Sequence, residues 1–296
     1  MLLVCATPIG NLDDVTLRVL ETLRSADLVA AEDTRRTRKL LSHFDIHVPL
    51  TSFHAHNEDR KAGEVLAALR SGATVALVTD AGMPLISDPG AGLVEAALAE
   101  ELPVTVLPGA SAPTAALVAS GLAGDGSYSF VGYLPRRRTD LEAAARRWRV
   151  AGDLVVAFES PRRLPKSLAA LAEVAPDVAA AVCRELTKLH EQVARGTLDE
   201  LAARYPVDGP AVRGEITLVA DFGISGPDDA RAGRRGQAET GAADEAALRE
   251  LAGRLLERGL SRRDATTALA VCLGVRKRDA EPIVRTVAQE RSTGEG

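Results

Sequence analysis

The sequence predicts an α/β protein of two units followed by a small all-α C-terminal piece, and three observations carry that expectation. Over roughly the first 220 residues, short β-branched apolar runs alternate with stretches of helical period. Several of the strand-like runs end in loops built from glycine and proline, the place where open α/β sheets receive ligands. Beyond about residue 244 the patterning is purely helical.

The elements follow in order. Leu2 to Ala6 reads as a strand, and Asp14 to Ser25 as a helix with Leu17, Leu20 and Leu23 on one stripe. Leu28 to Ala31 is a short strand, Thr34 to Ser42 a helix, and Arg60 to Arg70 an amphipathic helix stopped by Gly72. Ala73 to Val78 is a buried strand, Leu93 to Ala99 a helix, Val104 to Leu107 a strand, and a helix starts at Ser111. Such alternation implies a mainly parallel sheet with helices on its faces. Glycine, alanine and aspartate cluster at Gly121 to Gly126 and mark a seam. Beyond it come strand Tyr128 to Tyr133, helix Asp140 to Trp148, strand Leu154 to Phe158, helix Leu164 to Val174 and strand Ala179 to Cys183. Helix Leu198 to Ala203 and strand Ile216 to Ala220 complete a second α/β unit. The expected organisation is therefore 1–120, 121–222, a linker over 223–243 with almost nothing to bury, and a helix-turn-helix-like tail over 244–296.

Composition narrows the function. Hydrophobic residues make up 46% and aromatics only 3%, so the cores are built from Ala, Val and Leu. A net charge of −5 argues against a strongly basic nucleic-acid clamp, although clustered arginines keep local phosphate contacts in play. Cys5, Cys183 and Cys272 lie far apart with no C-x-x-C pair, which predicts a reduced, cytoplasmic setting and no zinc site. No basic segment precedes Leu2 to Ala6, so no signal peptide is read. Leu102 to Gly124 carries no charge, but Pro103, Pro108 and Pro113 interrupt it, and it reads as strand, loop and buried helix, not as a membrane span.

The segment Asp80-Ala81-Gly82-Met83-Pro84-Leu85-Ile86-Ser87-Asp88-Pro89-Gly90 is the most informative. Gly82 and Gly90 let backbone approach a ligand, Pro84 and Pro89 stiffen the loop, and Asp80, Ser87 and Asp88 offer oxygens. A stiff, acidic loop suits a small polar molecule with a positive centre better than a phosphate. Thr7 to Asp14 and Pro108 to Ala112 are similar strand-end loops; each alone reads first as an ordinary turn and helix cap, but three together predict a shared pocket. Glu32-Asp33-Thr34-Arg35-Arg36 and Glu159-Ser160-Pro161-Arg162-Arg163 each put an acid at a strand end ahead of two arginines, and Arg184-Glu185-Leu186-Thr187-Lys188 is a third acid/base mixture. These suit phosphate and sugar contacts, or equally an internal ion-pair network. Arg136-Arg137-Arg138 suits solvated surface as well as a ligand. The histidine pairs His43/His47 and His54/His56 lack matching ligands, so no metal is expected. There is no G-x-x-x-x-G-K-[ST], and Gly124-Asp125-Gly126 precedes a strand, so neither a nucleotide P-loop nor a dinucleotide site is indicated.

Taken together, Val4 to Leu12, Ala31 to Arg35, Ser52 to Glu58, Asp80 to Gly90, Pro108 to Ala112 and Phe158 to Arg162 resemble the bacterial ribosomal RNA small subunit methyltransferase I family, of the tetrapyrrole methylase superfamily. The resemblance spans about residues 1 to 222 in register and extends to the helical tail. It implies S-adenosylmethionine as methyl donor, a homodimer, and 2′-O-methylation of a cytidine in the decoding region of 16S rRNA, within the 30S subunit. It also implies that the donor lies folded in the cleft between the two α/β domains. Pro8, Asp80, Ala81, Gly82, Pro84, Ile86, Ser87, Ser111 and Ala112 would line its pocket, with Leu134 and Thr217 added from the second domain. Two other readings compete: methylation of a tetrapyrrole small molecule, and a non-catalytic RNA-binding or assembly module.

Methyl transfer depends first on holding nucleophile and methyl in line, and a ribose hydroxyl also gains from a base. Glu185 with Lys188, or Glu159 or Glu32, are the candidates. Arg35, Arg36, Arg162, Arg163 and Arg184, beside Glu32 and Glu159, are the expected contacts to the acceptor. In the tail, Arg262, Arg263, Arg276, Lys277 and Arg278 are expected to help hold structured RNA.

Overall fold

The computed structural model describes residues 1–124, 126–225, 249, 251–253, 255–256, 260–273 and 277–293. Residues 1–234 and 235–296 form separate compact units.

The first unit is built on two five-stranded sheets. In the first, β1 (Leu2–Cys5), β2 (Leu28–Ala31), β3 (Leu50–Ser52), β4 (Val75–Val78) and β5 (Val104–Leu107) lie in the order β3-β2-β4-β1-β5. Every pairing in it is parallel. Alternation along each strand sends side chains to both faces. Leu3, Cys5, Val29 and Ala76 pack under α1 (Leu17–Ser25) and α2 (Thr34–His43), against Val19, Leu20, Leu23, Leu40 and Leu41. Leu2, Val4, Ala30 and Leu77 pack on the other side under α3 (Glu58–Arg70) and α4 (Ala91–Ala99), against Val65, Leu66, Leu69, Leu93 and Ala97. This double burial is why the strands read as near-continuous apolar runs. The loops after β1, β4 and β5 leave neighbouring strands at the same sheet edge, so the predicted clustering of those three loops follows from strand order.

The first helix starts later than its predicted Asp14. Asn11 accepts the Asp13 N–H and closes a 3-10 turn over Leu12–Asp14, and only then does Thr16 cap α1 at the Val19 N–H. Strand β3 was not predicted: three half-buried residues carry too little pattern to announce a strand.

The second sheet departs from the mainly parallel expectation. Strands β6 (Ser129–Tyr133), β7 (Leu154–Glu159), β8 (Val178–Arg184), β9 (Gln192–Thr197) and β10 (Ile216–Ser225) are ordered β6-β7-β10-β8-β9. Only β6 and β7 run parallel; the β7–β10, β10–β8 and β8–β9 pairings are antiparallel. The physical reason is connection length. The turn between Arg184 and Gln192 is too short for a crossover helix, so β8 must reverse into its neighbour. That neighbour, β9, is a polar strand whose sequence shows no apolar run.

Helices α6 (Arg138–Ala151), α7 (Leu164–Val174) and α8 (Leu198–Arg204) cover one face of this sheet, with Leu141, Leu164, Leu168, Leu171, Leu198 and Leu201 in the core. The other face is covered by α5 (Ala112–Ser120), the last helix before the predicted seam. Ala116, Leu117 and Leu122 pack there on Val156, Ala181, Cys183 and Val219, and Ile9 of the first loop joins the same cluster. The two sheets are thus joined by a common apolar layer, and the loops of the first face the rim of the second.

In the second unit, α9 (Arg262–Leu273) is capped by Ser261, which accepts the Asp264 N–H at 3.2 Å, and α10 (Lys277–Thr293) follows. Ala252, Ala265, Leu269, Ala280, Val284 and Val287 form a small core there. Most of the predicted linker, residues 226–243, and the turn residues Gly274, Val275 and Arg276 lie outside the described residues, as do the side chains of Lys277 and Arg278.

Candidate active site

The loop after β4 is held open by backbone contacts at both ends. At its start, the Thr7 N–H donates to the Gly82 carbonyl at 2.8 Å and the Gly82 N–H returns to Thr7 at 3.0 Å. The Thr7 hydroxyl also donates to the Thr79 carbonyl at 3.0 Å, tying the β1 and β4 loops together. Gly82 sits at φ +82°, a conformation that glycine reaches without cost. At the other end Gly90 has φ +123°, and a Cβ there would come within 2.8 Å of Leu77 Cδ2. The Gly90 N–H donates to Glu58 Oε1 at 3.0 Å, anchoring the loop to the start of α3. Between them Leu85 and Ser87 are left-handed, with φ of +72° and +69°. Each costs on the order of 1–2 kcal/mol for a non-glycine residue, and such strain concentrates at ligand sites.

A cavity of about 390 Å³ opens between this loop and the second sheet. Of the residues expected to hold a donor, Asp80, Ala81, Gly82, Ile86, Ser87, Ser111, Ala112 and Thr217 line it. Pro84 and Leu134 are buried behind the wall, and Leu134 donates its N–H to the Phe158 carbonyl at 3.1 Å. Pro8 lines instead an adjoining cleft of about 210 Å³ with Gly10, Arg36, Lys39 and Lys188. Ser111 occupies the N-cap position of α5 without a capping hydrogen bond from its side chain, so its hydroxyl is left for the cavity. Sequence reasoning missed Ile9, Met83, Tyr133, Phe158, Gly214 and Glu215 in the wall. Tyr133 and Phe158 stack edge-on with ring centroids 5.6 Å apart, a pairing that depends on β6 lying beside β7 and leaves no local signal.

The lining is acidic. Glu32, Asp80, Asp88, Glu159 and Glu215 reach it, against Arg36 as the cation among the lining residues. Asp80 Oδ1 accepts the Asp33 N–H at 3.1 Å and Oδ2 lies 3.4 Å from Arg36 Nε. Glu32 accepts the Asp80 N–H at 3.1 Å. Glu159 belongs to the scaffold: its fully buried carboxylate takes the Ser160 N–H at 2.6 Å, the Ser167 hydroxyl at 2.5 Å and Arg163 at 3.2 Å. Asp88 differs from the rest. Burial, then repulsion from Glu32 and Asp80, push its carboxyl up to about 7 while the Thr79 hydroxyl draws it back.

The acid/base pair expected from sequence is brought together but sits outside the main cavity. Lys188 Nζ donates to Glu185 Oε1 and to Glu215 Oε2, both at 2.9 Å, and Glu185 also accepts the Glu215 N–H at 2.9 Å. The Glu215 N–H and the Lys188 ammonium hold the Glu185 carboxyl below its usual range. Burial alone would lower the Lys188 ammonium, but its bonds to Glu185 and Glu215 outweigh that and keep it charged. The turn is locked against the first loop: the Asn11 N–H donates to Thr187 Oγ1 at 3.1 Å, and a Cβ on Gly10 would lie 2.5 Å from Lys188 Cγ.

The arginines separate by environment. Arg36 lines both concavities. Arg35 is 84% exposed and pairs with Asp33 at 2.7 Å, which holds the Asp33 carboxyl well below the usual range. Arg162 is exposed. Arg163 is spent inside the protein, donating to the Leu134 and Pro135 carbonyls at 2.9 and 2.8 Å besides Glu159; it braces the wall and is not presented as a phosphate grip. Arg184 is likewise tied internally, to Gln192 and the Arg213 carbonyl, both at 3.3 Å. No group of three metal-ligating side chains occurs among the described residues, and none of their helices is long and apolar enough to cross a membrane.

Comparison with known proteins agrees with this geometry. Residues 1–202 match the family model described as Tetrapyrrole (Corrin/Porphyrin) Methylases. Ribosomal RNA small subunit methyltransferase I of Halalkalibacterium halodurans is 44% identical over 216 residues, covering 73% of this chain and 74% of that protein. The protein of the same name from Synechocystis sp. is 41% identical over 273 residues, 91% of this chain and 92% of its own. Among solved structures, uroporphyrin-III-C-methyltransferase from Thermus thermophilus matches with a TM-score of 0.52 at 19% identity, over 75% of this chain and 94% of that one. Diphthine synthase matches with a TM-score of 0.58 at 16% identity, over 74% and 89%. These two share the fold alone. The two sheets, the shared layer between them and the sequence matches together establish that the chain belongs to the tetrapyrrole methylase family, and within it to the ribosomal RNA small subunit methyltransferase I proteins.

Proposed function

We propose that this chain transfers a methyl group from S-adenosylmethionine to the 2′-hydroxyl of a cytidine in the decoding region of 16S rRNA, acting in the cytoplasm on the 30S subunit. The observation that carries the reading is the division of charge between two adjoining concavities, in a chain whose relatives are named as small-subunit rRNA methyltransferases. The larger one has five carboxylates in its wall and a volume suited to a small-molecule ligand. A sulfonium and an ammonium on one compact nucleoside match it. The smaller one sets Arg36, Lys39 and Lys188 against two carboxylates, Asp80 beside Arg36 and Glu215 beside Lys188, and this excess of cations suits the phosphodiester of an incoming strand. Asp80, Ala81, Gly82, Ile86, Ser87, Ser111, Ala112 and Thr217 would hold the donor, with Pro8, Pro84 and Leu134 shaping the walls. Bound there, the donor supplies a methyl group on a positive, readily departing sulfur. The chain's own part is to hold the acceptor oxygen in line and to exclude water.

A homodimer is the assembly expected of this group, and two exposed valines are offered as parts of its contact. Val106 on the edge strand β5 and Val118 on α5 are 55% and 75% exposed. Arg262 and Arg263, exposed at the start of α9, are offered as RNA contacts of the tail. The test is incubation of the purified protein with methyl-labelled donor and either 30S subunits or a tetrapyrrole precursor, followed by mass mapping of the rRNA. A single ribose-methylated cytidine is expected. Label only in a tetrapyrrole precursor, or none in either substrate, would reject the reading.

A further inference from the structure

We propose that Asp88 is the group that receives the proton of the attacking hydroxyl. This rests on the methyltransferase reading above and assigns a catalytic residue within it.

The argument begins by elimination. Four of the five carboxylates in the cavity wall are engaged by backbone or cationic donors: Glu32 by the Asp80 N–H, Asp80 by the Asp33 N–H and Arg36, Glu159 by the Ser160 N–H, the Ser167 hydroxyl and Arg163, and Glu215 by Lys188. Among the described residues Asp88 has neither a cation nor a backbone N–H on its carboxylate. Glu185, the candidate from sequence, carries both and lies outside the main cavity. A carboxylate already stabilised by such donors is a poor proton acceptor.

Position comes next. Asp88 follows directly on the left-handed Leu85 and Ser87 and lies two residues before Gly90, whose N–H is anchored by Glu58. A Cβ on Gly132 of β6 would lie 3.6 Å from Ser87 Oγ, so this stretch of loop meets the second sheet at the cavity mouth. The strain therefore sets Ser87 and Asp88 at a defined place in the cavity wall.

The surroundings then set the chemistry. Asp88 is faced by Glu32 from the end of β2, Asp80 and Thr79 from the end of β4, and Tyr133 from β6, with Arg36 turned to Asp80. The anions and burial make its ionised form unfavourable, which raises its appetite for a proton to about neutral. A base matched to the working pH contributes typically about 10²–10⁴-fold. In the step, the O–H pair stays on oxygen as the proton passes to Asp88. The new C–O bond forms as the carbon–sulfur bond breaks, and that electron pair returns to sulfur. The Asp88 carboxyl then gives its proton to water.

Asp88→Asn, Asp88→Glu and Glu185→Gln in the full-length protein, compared with the parent, test this. Donor binding is measured by calorimetry, and single-turnover methylation of 30S subunits at saturating donor from pH 5.5 to 9. The parent rate should rise with pH and level off near 7, following the Asp88 carboxyl seen by carbon NMR of labelled aspartate. Asp88→Asn should bind donor within about threefold of the parent, lose roughly 10²-fold or more in rate, and lack the rising limb. Asp88→Glu should recover part of the rate, and Glu185→Gln should keep the limb. If Asp88→Asn keeps the rate and the limb, or if its loss lies wholly in donor affinity, the assignment is overturned. A parent protein that methylates no 30S subunit sinks the methyltransferase reading itself.

Discussion

The first sheet is parallel throughout and the second is antiparallel at three of its four junctions, and the two contribute different materials to one cavity. The parallel sheet contributes loops after β1, β4 and β5 whose glycines and left-handed residues define the space, together with the carboxylates of Glu32, Asp80 and Asp88 at its strand ends. The mixed sheet contributes side chains: Tyr133, Phe158, Glu159, Glu215 and Thr217, held from beneath by the Glu159–Ser167–Arg163 network. One wall is made by conformation and the other by packing, so they should fail in different ways when altered.

The largest effect is expected on the packed wall. Arg163→Met would leave the fully buried Glu159 carboxylate without its cation, and removing one partner of such a pair costs about 3–5 kcal/mol. Because Arg163 itself is 28% exposed, the lower end is expected, read as a lower denaturant midpoint; Arg162→Met next door should leave it unchanged. Equal midpoints for the two variants would mean that Arg163 is not structural.

Gly82→Val should act on the conformational wall. It forces a β-branched residue to φ +82° and sets a Cβ 3.4 Å from Ile9 Cγ2. A fall in donor affinity of about tenfold or more corresponds to the 1–2 kcal/mol of that strain, read by calorimetry on a protein whose circular dichroism is intact. Gly72→Ala provides the contrast: it meets the same kind of penalty at φ +90° with nothing within 4 Å, so it should lower stability and spare the donor. Donor loss in both variants would show that general loosening, and not the loop, sets affinity.

A smaller effect joins function to stability. The Asp88 carboxyl is raised from 3.8 to about 7 on folding, so its neutral form favours the folded state. That contribution is complete below pH 4 and disappears as pH climbs through 7. Asp88→Asn should therefore melt a few degrees higher than the parent at pH 8, with the two converging at pH 4. Identical melting curves at both pH values would contradict the half-buried, repelled carboxylate described here. Least of all, Arg35→Ala should leave the denaturant midpoint unchanged, since exposed ion pairs contribute little; any change it makes belongs to RNA binding and its salt dependence.

The same contrast explains what could be read in advance. The Asp80 to Gly90 loop was legible because proline, glycine and acid fall in one short segment, and local chemistry suffices to make a stiff ligand loop. The inward engagement of Arg163 was not, because Arg162 and Arg163 are adjacent and chemically alike, and only packing turns one outward and the other into the wall. Glu185 and Lys188 were visible as neighbours, but their engagement with Glu215 arrives across the sheet from β10. Asp88 was seen only as one oxygen among several.

By itself the sequence determined the parallel first sheet, the helical faces and the three ligand loops, since alternation, apolar runs and turn residues act over a few positions. Tertiary structure alone decided the antiparallel second sheet, the shared layer beneath α5, and which of five carboxylates has neither a cation nor a backbone N–H on it among the described residues. Those outcomes depend on groups brought together from distant parts of the chain, and a side chain's charge state depends on neighbours that only folding supplies.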